Sequence, residues 1–361
     1  MSETTGRMWE GRRLHFVGVG GSGMSGYARA AHALGATVSG SDRARSSYLE
    51  RLREEDVLDA RIGHDAGNVP EGDDVEVVYS SAVPAENPER VAARERGLPE
   101  RPRAELLAEL TALRRTIAVA GAHGKTTTAS MIVHVLRELG SDPSWLVGSS
   151  VGAGLANSHW AAGEWLVVEA DESDRSMLSL DVEIVVLTNV ELDHHATFGS
   201  LAELREAYRE LLAGAPQAVI WDRRDLRALR DGPAVFYDVS EPLTSDEGST
   251  FSWRGRQVSV SALGAHNALN AVAALEVARL IGVDATAAIA GFKGAGRRFE
   301  RLGRTASGAE VVDDYAHHPT EVAATLSAAR TLGPERLVAV FQPHLYSRTT
   351  MLAREFGAAL A

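Results

Sequence analysis

The sequence predicts an α/β protein built on parallel sheets. Short apolar runs alternate with segments long enough for helices along most of the 361 residues. These runs are apolar at nearly every position, as is typical of parallel strands that are covered on both faces. Two of the runs lead through glycine-rich turns directly into helical segments. The length allows two or three domains.

Composition excludes several classes of protein. The net charge of −12 and the pI near 5.5 argue against a nucleic-acid partner, although small anionic ligands need only local donors. The absence of cysteine excludes disulfides, thiolate metal sites and a cysteine nucleophile. No apolar run approaches the roughly 20 residues that cross a bilayer. We therefore expect a cytoplasmic protein with no membrane insertion, and the sequence indicates no oligomeric state.

The first unit reads as strand, glycine turn, helix and further strands, in "RRLHFVGVGGSGMSGYARAAHALG", "ATVSGSD" and "VEVVYSSAV". A linker-like stretch follows, so we place the first domain at 1–105. The spacing of Gly18, Gly20 and Gly23, with Asp42 after the second strand, is typical of a diphosphate held at a helix N-terminus. Taken alone, this glycine spacing is weak evidence for a diphosphate site, and it also fits a dinucleotide-dependent oxidoreductase.

The second unit begins with the strand "TIAVAG" and the loop "GAHGKTTT". The usual phosphate loop would need glycine where Val119 stands. The shorter loop still presents backbone amides to a phosphate, with Lys125 near the β- and γ-phosphates and Thr126 on Mg²⁺. Only one other lysine, Lys293, occurs in the chain, and a compact ammonium fits such a loop better than a guanidinium does. We predict a phosphate site at Gly121, Ala122, His123, Gly124, Lys125, Thr126 and Thr127.

Carboxylate, amide and imidazole groups follow two further predicted strands of this unit. Strand "WLVVEAD" is followed by an acidic stretch, and strand "EIVVLTNV" by another polar cluster; "QAVIWD" completes the set. Each cluster alone could be a solvated loop. Because parallel strands end at one edge of a sheet, we expect both beside the phosphate loop as ligands of Mg²⁺. The candidates are Glu169, Asp171, Glu172, Asp174, Asn189, Asp193, His194 and His195.

Three polar clusters remain further along the chain. "HNALNA" opens a long helix, where Asn267 is either a cap or, with His266 and Asn270, a contact for adenine. The third unit contains "DDYAHHPTE", a predicted strand "RLVAVFQ", and "FQPHLYSRT" before a helix over Leu352–Leu360. Arg348 could grip a carboxylate through its two-pronged donor group. We place the central domain at 106–299 and the third at 300–361.

Taken together, the motifs resemble the Mur ligase family over nearly the whole chain. The motifs that carry the resemblance are "HFVGVGGSGM", "VVYSSAVPAENPE", "GAHGKTTT", "EADESD", "TNVELDHH", "HNALNA", "GRRFE", "DDYAHHPTE" and "FQPHLYSRT". The family uses the shortened phosphate loop. The resemblance implies a Rossmann-like first domain, a central ATPase-like parallel-sheet domain and a Rossmann-like third domain. It also implies ATP and Mg²⁺, and an activity: ligation of L-alanine to the carboxylate of UDP-N-acetylmuramate through an acyl phosphate, in peptidoglycan precursor synthesis.

The resemblance also implies roles for individual residues. Catalysis would involve Lys125, Glu169, His194 and Arg298, with the metal on Thr126, Glu169 and His194. ATP would be held by the phosphate loop together with His266, Asn267, Asn270 and Tyr315. The substrate-binding set would be Gly18, Gly20, Gly21, Gly23, Ser80, Ser81, His195, His317, His344 and Arg348.

Two departures from the family and three alternatives accompany this interpretation. No lysine follows His194 before Lys293, so the carbamylated lysine of several Mur ligases is absent. Family members continue past the position of Ala361, so we expect the third domain only in part and reduced turnover. The alternatives are a murein peptide ligase that adds a tripeptide to UDP-N-acetylmuramate, a non-catalytic nucleotide-binding module and, least favoured, the oxidoreductase.

Overall fold

A computed structural model describes residues 8–152, 154–193 and 197–361. The first unit is a five-stranded parallel sheet in the order β3-β2-β1-β4-β5. Its strands are β1 (Arg13–Val17), β2 (Thr37–Asp42), β3 (Arg61–Ile62), β4 (Val75–Tyr79) and β5 (Glu100–Pro102). Its helices are α1 (Ser22–Ala33), α2 (Ser47–Glu54), α3 (Pro88–Glu95) and α4 (Arg103–Ala112).

The second unit contains a seven-stranded sheet in the order β12-β11-β10-β6-β9-β7-β8. Its strands are β6 (Arg115–Ala120), β7 (Ser144–Leu146), β8 (Ser158–His159), β9 (Trp165–Ala170), β10 (Ile184–Leu187), β11 (Gln217–Trp221) and β12 (Val235–Tyr237). All neighbours pair in parallel except β7 and β8. The helices are α5 (Lys125–Glu138), α6 (Leu201–Gly214), α7 (Arg224–Arg227) and α8 (Ala265–Leu280).

The central strand β6 shows why this sheet is buried on both faces. Ile117 and Val119 pack into one apolar cluster with α5 and α8, whereas Ala118 and Ala120 pack into the other with α6. All four are fully buried, so each face of the strand is covered by helices. The predicted α/β class with parallel sheets is confirmed.

A small antiparallel sheet, absent from our prediction, precedes α8. It consists of β13 (Leu243–Ser245), β14 (Gly248–Trp253) and β15 (Arg256–Val260). Phe251, Val258 and Val260 point into the core beside α8. This sheet therefore closes the central unit on the side that faces away from α6.

The third unit has a two-stranded antiparallel sheet and three helices. These elements are β16 (Glu300–Arg304), β17 (Glu310–Asp313), α9 (Pro319–Thr331), α10 (Tyr346–Met351) and α11 (Ala353–Leu360). Its buried apolar cluster consists only of Val322, Leu326 and Phe356, with a few half-buried neighbours. The predicted strand "RLVAVFQ" is wrong for this structure, since these residues lie outside any strand and Val340 is 96% exposed. An apolar run becomes a strand only beside a hydrogen-bonding partner, and no described strand lies alongside it.

Candidate functional site

The phosphate loop connects the end of β6 to the start of α5 and depends on two glycines. Gly121 and Gly124 have φ values of +127° and +81°, a region that side chains disfavour. A Cβ on Gly121 would also collide with the Thr188 hydroxyl, and one on Gly124 would lie 2.9 Å from Asn270 Oδ1. The loop is therefore a tight turn between β6 and α5, and Val119 belongs to the strand.

Asn189, two residues past the end of β10, holds this loop in place. Its Oδ1 accepts the His123 amide hydrogen at 2.9 Å, and its Nδ2 donates to the His123 carbonyl at 2.9 Å. The Thr188 hydroxyl also donates to that carbonyl, at 2.6 Å. Polar groups at the end of a neighbouring parallel strand thus fix the backbone that would contact a phosphate.

Lys125 is the first residue of α5, and its side chain folds back into the loop. Its ammonium donates to the Gly121 carbonyl at 2.5 Å and to Glu172 Oε2 at 2.9 Å. Burial alone would lower the pKa of Lys125, but Glu172, Asp171 and Glu169 together raise it above its usual value. The site therefore holds a positive charge that a phosphate could approach.

The acidic stretch after β9 faces the first unit across a narrow cleft. Glu169 accepts the amide hydrogen of Gly148 at 2.8 Å, and the Arg103 guanidinium lies 2.6 Å from Asp174. Burial would raise the pKa of Asp171, but Lys125 and neighbouring hydrogen-bond donors lower it. A cavity of about 90 Å³ lies in this cleft, lined by Glu169, Asp171, Arg103 and Gly23 among others.

A larger cavity of about 340 Å³ opens on the other side of the phosphate loop. It lies between the loop, the start of α8 and the start of α9, and it is within the size range of small-molecule sites. His266, Asn267 and Asn270 line it, as do Trp221 and Tyr237 from the neighbouring strands. Asn267 is not the helix cap: Gly264 takes that position, and Asn267 donates to the Leu263 carbonyl and accepts from Asn270.

Arg298 and Thr126 lie where the second and third units meet. Arg298 Nη2 donates to the Thr126 hydroxyl at 3.3 Å, and the guanidinium lines the 340 Å³ cavity. Tyr315 does not line that cavity. Its ring lies near those of His317 and His344, with centroids 5.0 and 6.3 Å away. These three predicted residues thus form one aromatic cluster on the third unit.

Arg348, expected to bind a carboxylate, already holds one from its own chain. Its Nε and Nη2 donate to the two carboxylate oxygens of Asp193 at 2.9 and 2.7 Å, and both residues are buried. This geometry is the two-pronged pairing expected of arginine with a carboxylate. A substrate carboxylate would reach Arg348 only if the pair with Asp193 opened.

The first unit has its own cavity, of about 650 Å³, at the carboxyl ends of β1, β2 and β4. Gly18, Gly20, Gly21 and Ser80 line it together with Asp42 and His64. Asp42 Oδ2 accepts the Gly20 amide hydrogen at 2.8 Å. Of the predicted set, Gly23 lies in the narrower cleft beside Arg103 instead, and Ser81 lines neither cavity.

Two predicted site residues lie outside the described part of the chain, and three residues that contribute contacts to the site were not predicted. His194 and His195 lie outside the described residues. Sequence analysis did not identify Arg103, Glu191 or Glu321, because each acts on a partner distant in the chain. Glu191 lies in the motif "TNVELDHH" and Glu321 in "DDYAHHPTE". Membership of these polar motifs was the sequence feature that could have identified the two residues.

Among the described residues, none of the helices has both the length and the apolar character needed to cross a bilayer.

The chain matches one family along nearly its whole length. Residues 13–115 match the Mur ligase family catalytic domain, 119–278 the Mur ligase middle domain, and 297–361 the glutamate ligase domain of Mur ligases. These three ranges follow the three units of the structure.

Its relatives include UDP-N-acetylmuramate–L-alanine ligases. The protein of that name from Rubrobacter xylanophilus is 44% identical over 96% of this chain and 81% of its own length. That from Clavibacter michiganensis is 43% identical over 96% of this chain and 76% of its own length.

Solved structures of Mur ligases are also similar to this chain. The UDP-N-acetylmuramate–alanine ligase MurC from Thermotoga maritima superposes with a TM-score of 0.85 and 27% identity, covering 96% of this chain and 83% of its own. A murein peptide ligase from Psychrobacter arcticus superposes with a TM-score of 0.77 and 25% identity, covering 93% of this chain and 79% of its own. The phosphate loop, the three-unit architecture and these matches together show that the chain belongs to the Mur ligase family.

Proposed function

We propose that the protein catalyses the ATP-dependent ligation of L-alanine to the carboxylate of UDP-N-acetylmuramate, a step of peptidoglycan precursor synthesis. The observation that carries the proposal is the position of the phosphate loop. It lies between a cavity that suits a nucleoside and a cleft that leads to the glycine turn of the first unit. Such an arrangement would bring a nucleotide phosphate and a second substrate together near Lys125.

The chemistry suits this arrangement because a carboxylate is a poor electrophile. Transfer of a phosphoryl group to the carboxylate makes an acyl phosphate, which the amine then attacks, and phosphate leaves. No side chain needs to act as a nucleophile. The residues contribute by positioning and by neutralising charge: Lys125 and Arg298 would face the transferred phosphoryl group, and the amides at the start of α5 would bind its oxygens.

The described residues fit a magnesium ion beside the loop. Glu169 offers a carboxylate at the end of β9 and Thr126 a hydroxyl at the start of α5, which are the hard oxygen ligands that Mg²⁺ prefers. His194, which we expect to complete the set, lies outside the described residues. When bound, Mg²⁺ supplies charge neutralisation at the phosphate oxygens.

The choice of substrates rests on the relatives. The alanine-adding ligases match at 42–44% identity over most of the chain. The murein peptide ligase alternative has the lower structural similarity of the two solved ligases, with a TM-score of 0.77 against 0.85. A cytoplasmic location follows from this function, because its nucleotide substrates are made there.

Release of inorganic phosphate tests the proposal. The protein is incubated with ATP, Mg²⁺ and UDP-N-acetylmuramate, and L-alanine, glycine, L-serine or the tripeptide is added in turn. We expect phosphate release that depends on both the sugar nucleotide and L-alanine. Lys125→Ala should reduce it about 100-fold or more, since it removes a charge directed at the transition state. Lys125→Arg should fail nearly as badly, because a guanidinium does not fit the loop.

Two results would contradict the proposal. Dependence on the tripeptide in place of alanine would favour the murein peptide ligase. Binding of both nucleotides, with no turnover for any amino acid, would leave a nucleotide-binding module.

A further inference from the structure

A cluster of two histidines and a glutamate lies where the phosphate loop meets the third unit. His123 comes from the loop, Glu191 from the segment after β10, and His318 from the position just before α9. One ligand atom from each lies within 4.8 Å of the others. His318 is buried and the other two are half-buried, so the cluster is enclosed but reachable.

Two of the distances in the cluster are close to those of a coordination sphere. His123 Nε2 lies 3.2 Å from Glu191 Oε2, and His318 Nδ1 lies 3.7 Å from the same oxygen. Metal–ligand bonds of about 2.0–2.1 Å arranged tetrahedrally place neighbouring ligand atoms about 3.3 Å apart. The third separation, between the two histidines, is within 4.8 Å, so their rings need to close by up to about 1.5 Å to share one ion, with a fourth position open to water.

The surroundings of the cluster also resemble those of a metal centre. A metal-bound histidine normally directs its second ring nitrogen at a carboxylate, which fixes the ring and its tautomer. His123 Nδ1 lies 3.3 Å from Glu321 Oε1, and no other polar atom is hydrogen-bonded to this buried nitrogen. The Thr320 hydroxyl donates to Glu191 Oε2 at 2.9 Å and holds that carboxylate toward the histidines.

We propose that His123, Glu191 and His318 bind a divalent transition metal of the zinc type, with Glu321 positioning His123. The two imidazoles select such an ion over Mg²⁺, which prefers oxygen ligands. The site is thus distinct in its chemistry from the magnesium position at Thr126 and Glu169. Because its ligands come from the phosphate loop and from the start of α9, a bound metal ties the third unit to the loop.

Cobalt(II) provides the probe, since its visible absorption reports the ligands and their geometry without any catalytic assay. The protein is titrated with CoCl₂ in the presence of excess MgCl₂, which occupies oxygen-ligand sites. We expect one equivalent of Co²⁺ with absorption typical of four-coordinate nitrogen and oxygen ligation, and displacement of that absorption by one equivalent of ZnCl₂. The result does not depend on ligase activity, so it stands or falls separately from the proposed function.

Variants assign the ligands. His123→Asn, Glu191→Gln and His318→Asn should each weaken binding at least 100-fold, and asparagine at 318 keeps a residue able to cap α9. Glu321→Gln should weaken it by about 10- to 100-fold, as expected of a partner that orients a ligand. His159→Asn is the matched control, because this exposed histidine on β8 lies outside the cluster. Circular dichroism of each variant checks that the fold is kept.

Two results would overturn the proposal. Absence of stoichiometric Co²⁺ binding would mean that only hydrogen bonds and ion pairs join the three side chains. Equal affinity in all variants would assign the bound ion to adventitious surface groups.

Discussion

Glu169, at the end of β9, is the residue on which the proposed magnesium site can be tested most directly. Its carboxylate accepts one backbone amide hydrogen and lines the cleft between the first two units. Glu169→Gln keeps the size of the side chain but removes the ionised oxygens that a hard cation requires. We expect a rise in the Mg²⁺ concentration needed for half-maximal phosphate release, with slower turnover at saturation.

The matched change for that experiment is Glu54→Gln, on the exposed face of α2. It should leave the Mg²⁺ titration unchanged. Superimposable Mg²⁺ curves for Glu169→Gln and the unchanged protein would remove Glu169 from the metal site.

The buried pair of Arg348 and Asp193 leads to a prediction about stability. Asp193→Asn leaves a buried guanidinium without its counter-charge, which costs about 3–5 kcal/mol when a buried pair is broken. We expect a loss of that order in the free energy of unfolding, measured by urea denaturation. If Arg348 does bind the carboxylate of alanine, the KM for alanine should also fall, because the competing internal carboxylate has gone.

An exposed pair serves as the comparison. Asp59 lies 3.8 Å from Arg53 and is 80% exposed, so Asp59→Asn should change the stability by less than about 1 kcal/mol. Equal losses for the two variants would mean that burial of the Arg348 pair contributes nothing.

At the scale of elements, a buried carboxylate joins three elements of the first unit. Glu89 of α3 lies 2.8 Å from His15 Nε2 of β1 and accepts from the Ser41 hydroxyl of β2 at 2.7 Å and from Asn68 at 3.0 Å. Burial would raise the pKa of Glu89, but these hydrogen bonds lower it to about 2. The ionised form is therefore the one that the fold stabilises.

This depressed pKa predicts the acid sensitivity of the protein. A carboxyl group with a lower pKa in the folded state adds stability above its unfolded pKa of about 4.5, and loses it as the pH falls toward 2. The contribution is on the order of 3 kcal/mol. Urea denaturation at pH 7, 4 and 3 should show a steeper loss for the unchanged protein than for Glu89→Gln. Parallel losses would assign the acid sensitivity to other groups.

The sequence predicted those elements that have a clear local pattern of apolar side chains, and it did not predict contacts that depend on residues far apart in the chain. The strands β6, β9, β10 and β11 were predictable because their side chains are apolar on both faces. The sheet of β13–β15 was missed, although Phe251, Val258 and Val260 alternate with polar residues in the manner of half-buried strands. Pairings such as Arg348 with Asp193 could not be predicted, since 155 positions separate the two residues and only the folded chain brings them together.

At the scale of the whole molecule, the third unit is the least firmly held. Its buried apolar cluster is small, and its described contacts with the second unit include polar ones, such as Thr320 with Glu191 and Arg348 with Asp193. Regions with few buried apolar contacts open more easily and exchange their amide hydrogens faster. We expect the amides of α9 to exchange faster than those of α5, which is buried along most of its length.

Nucleotide binding should change that difference. The 340 Å³ cavity is lined by the phosphate loop and by Thr320, Glu321, Ala324 and Thr325 of α9. ATP with Mg²⁺ should therefore slow exchange in α9, as measured by mass spectrometry, and should leave α6 unchanged because that helix does not line the cavity. Lys125→Ala should abolish the effect. Equal slowing in α6 would indicate a general stabilisation and not closure over the nucleotide.

The scarcity of lysine makes the phosphate loop a chemically addressable position. With an arginine-rich surface, the chain offers amine reagents only Lys125, Lys293 and the N-terminus. Lys293 is exposed, whereas Lys125 is held as a cation against Glu172 within the loop, so we expect an acylating reagent to modify Lys293 much faster than Lys125. If a nucleotide binds at the loop, it should shield Lys125 further, so the mass shift on the Lys125 peptide, measured against that on the Lys293 peptide, should fall when ATP is added and would report occupancy without an engineered label.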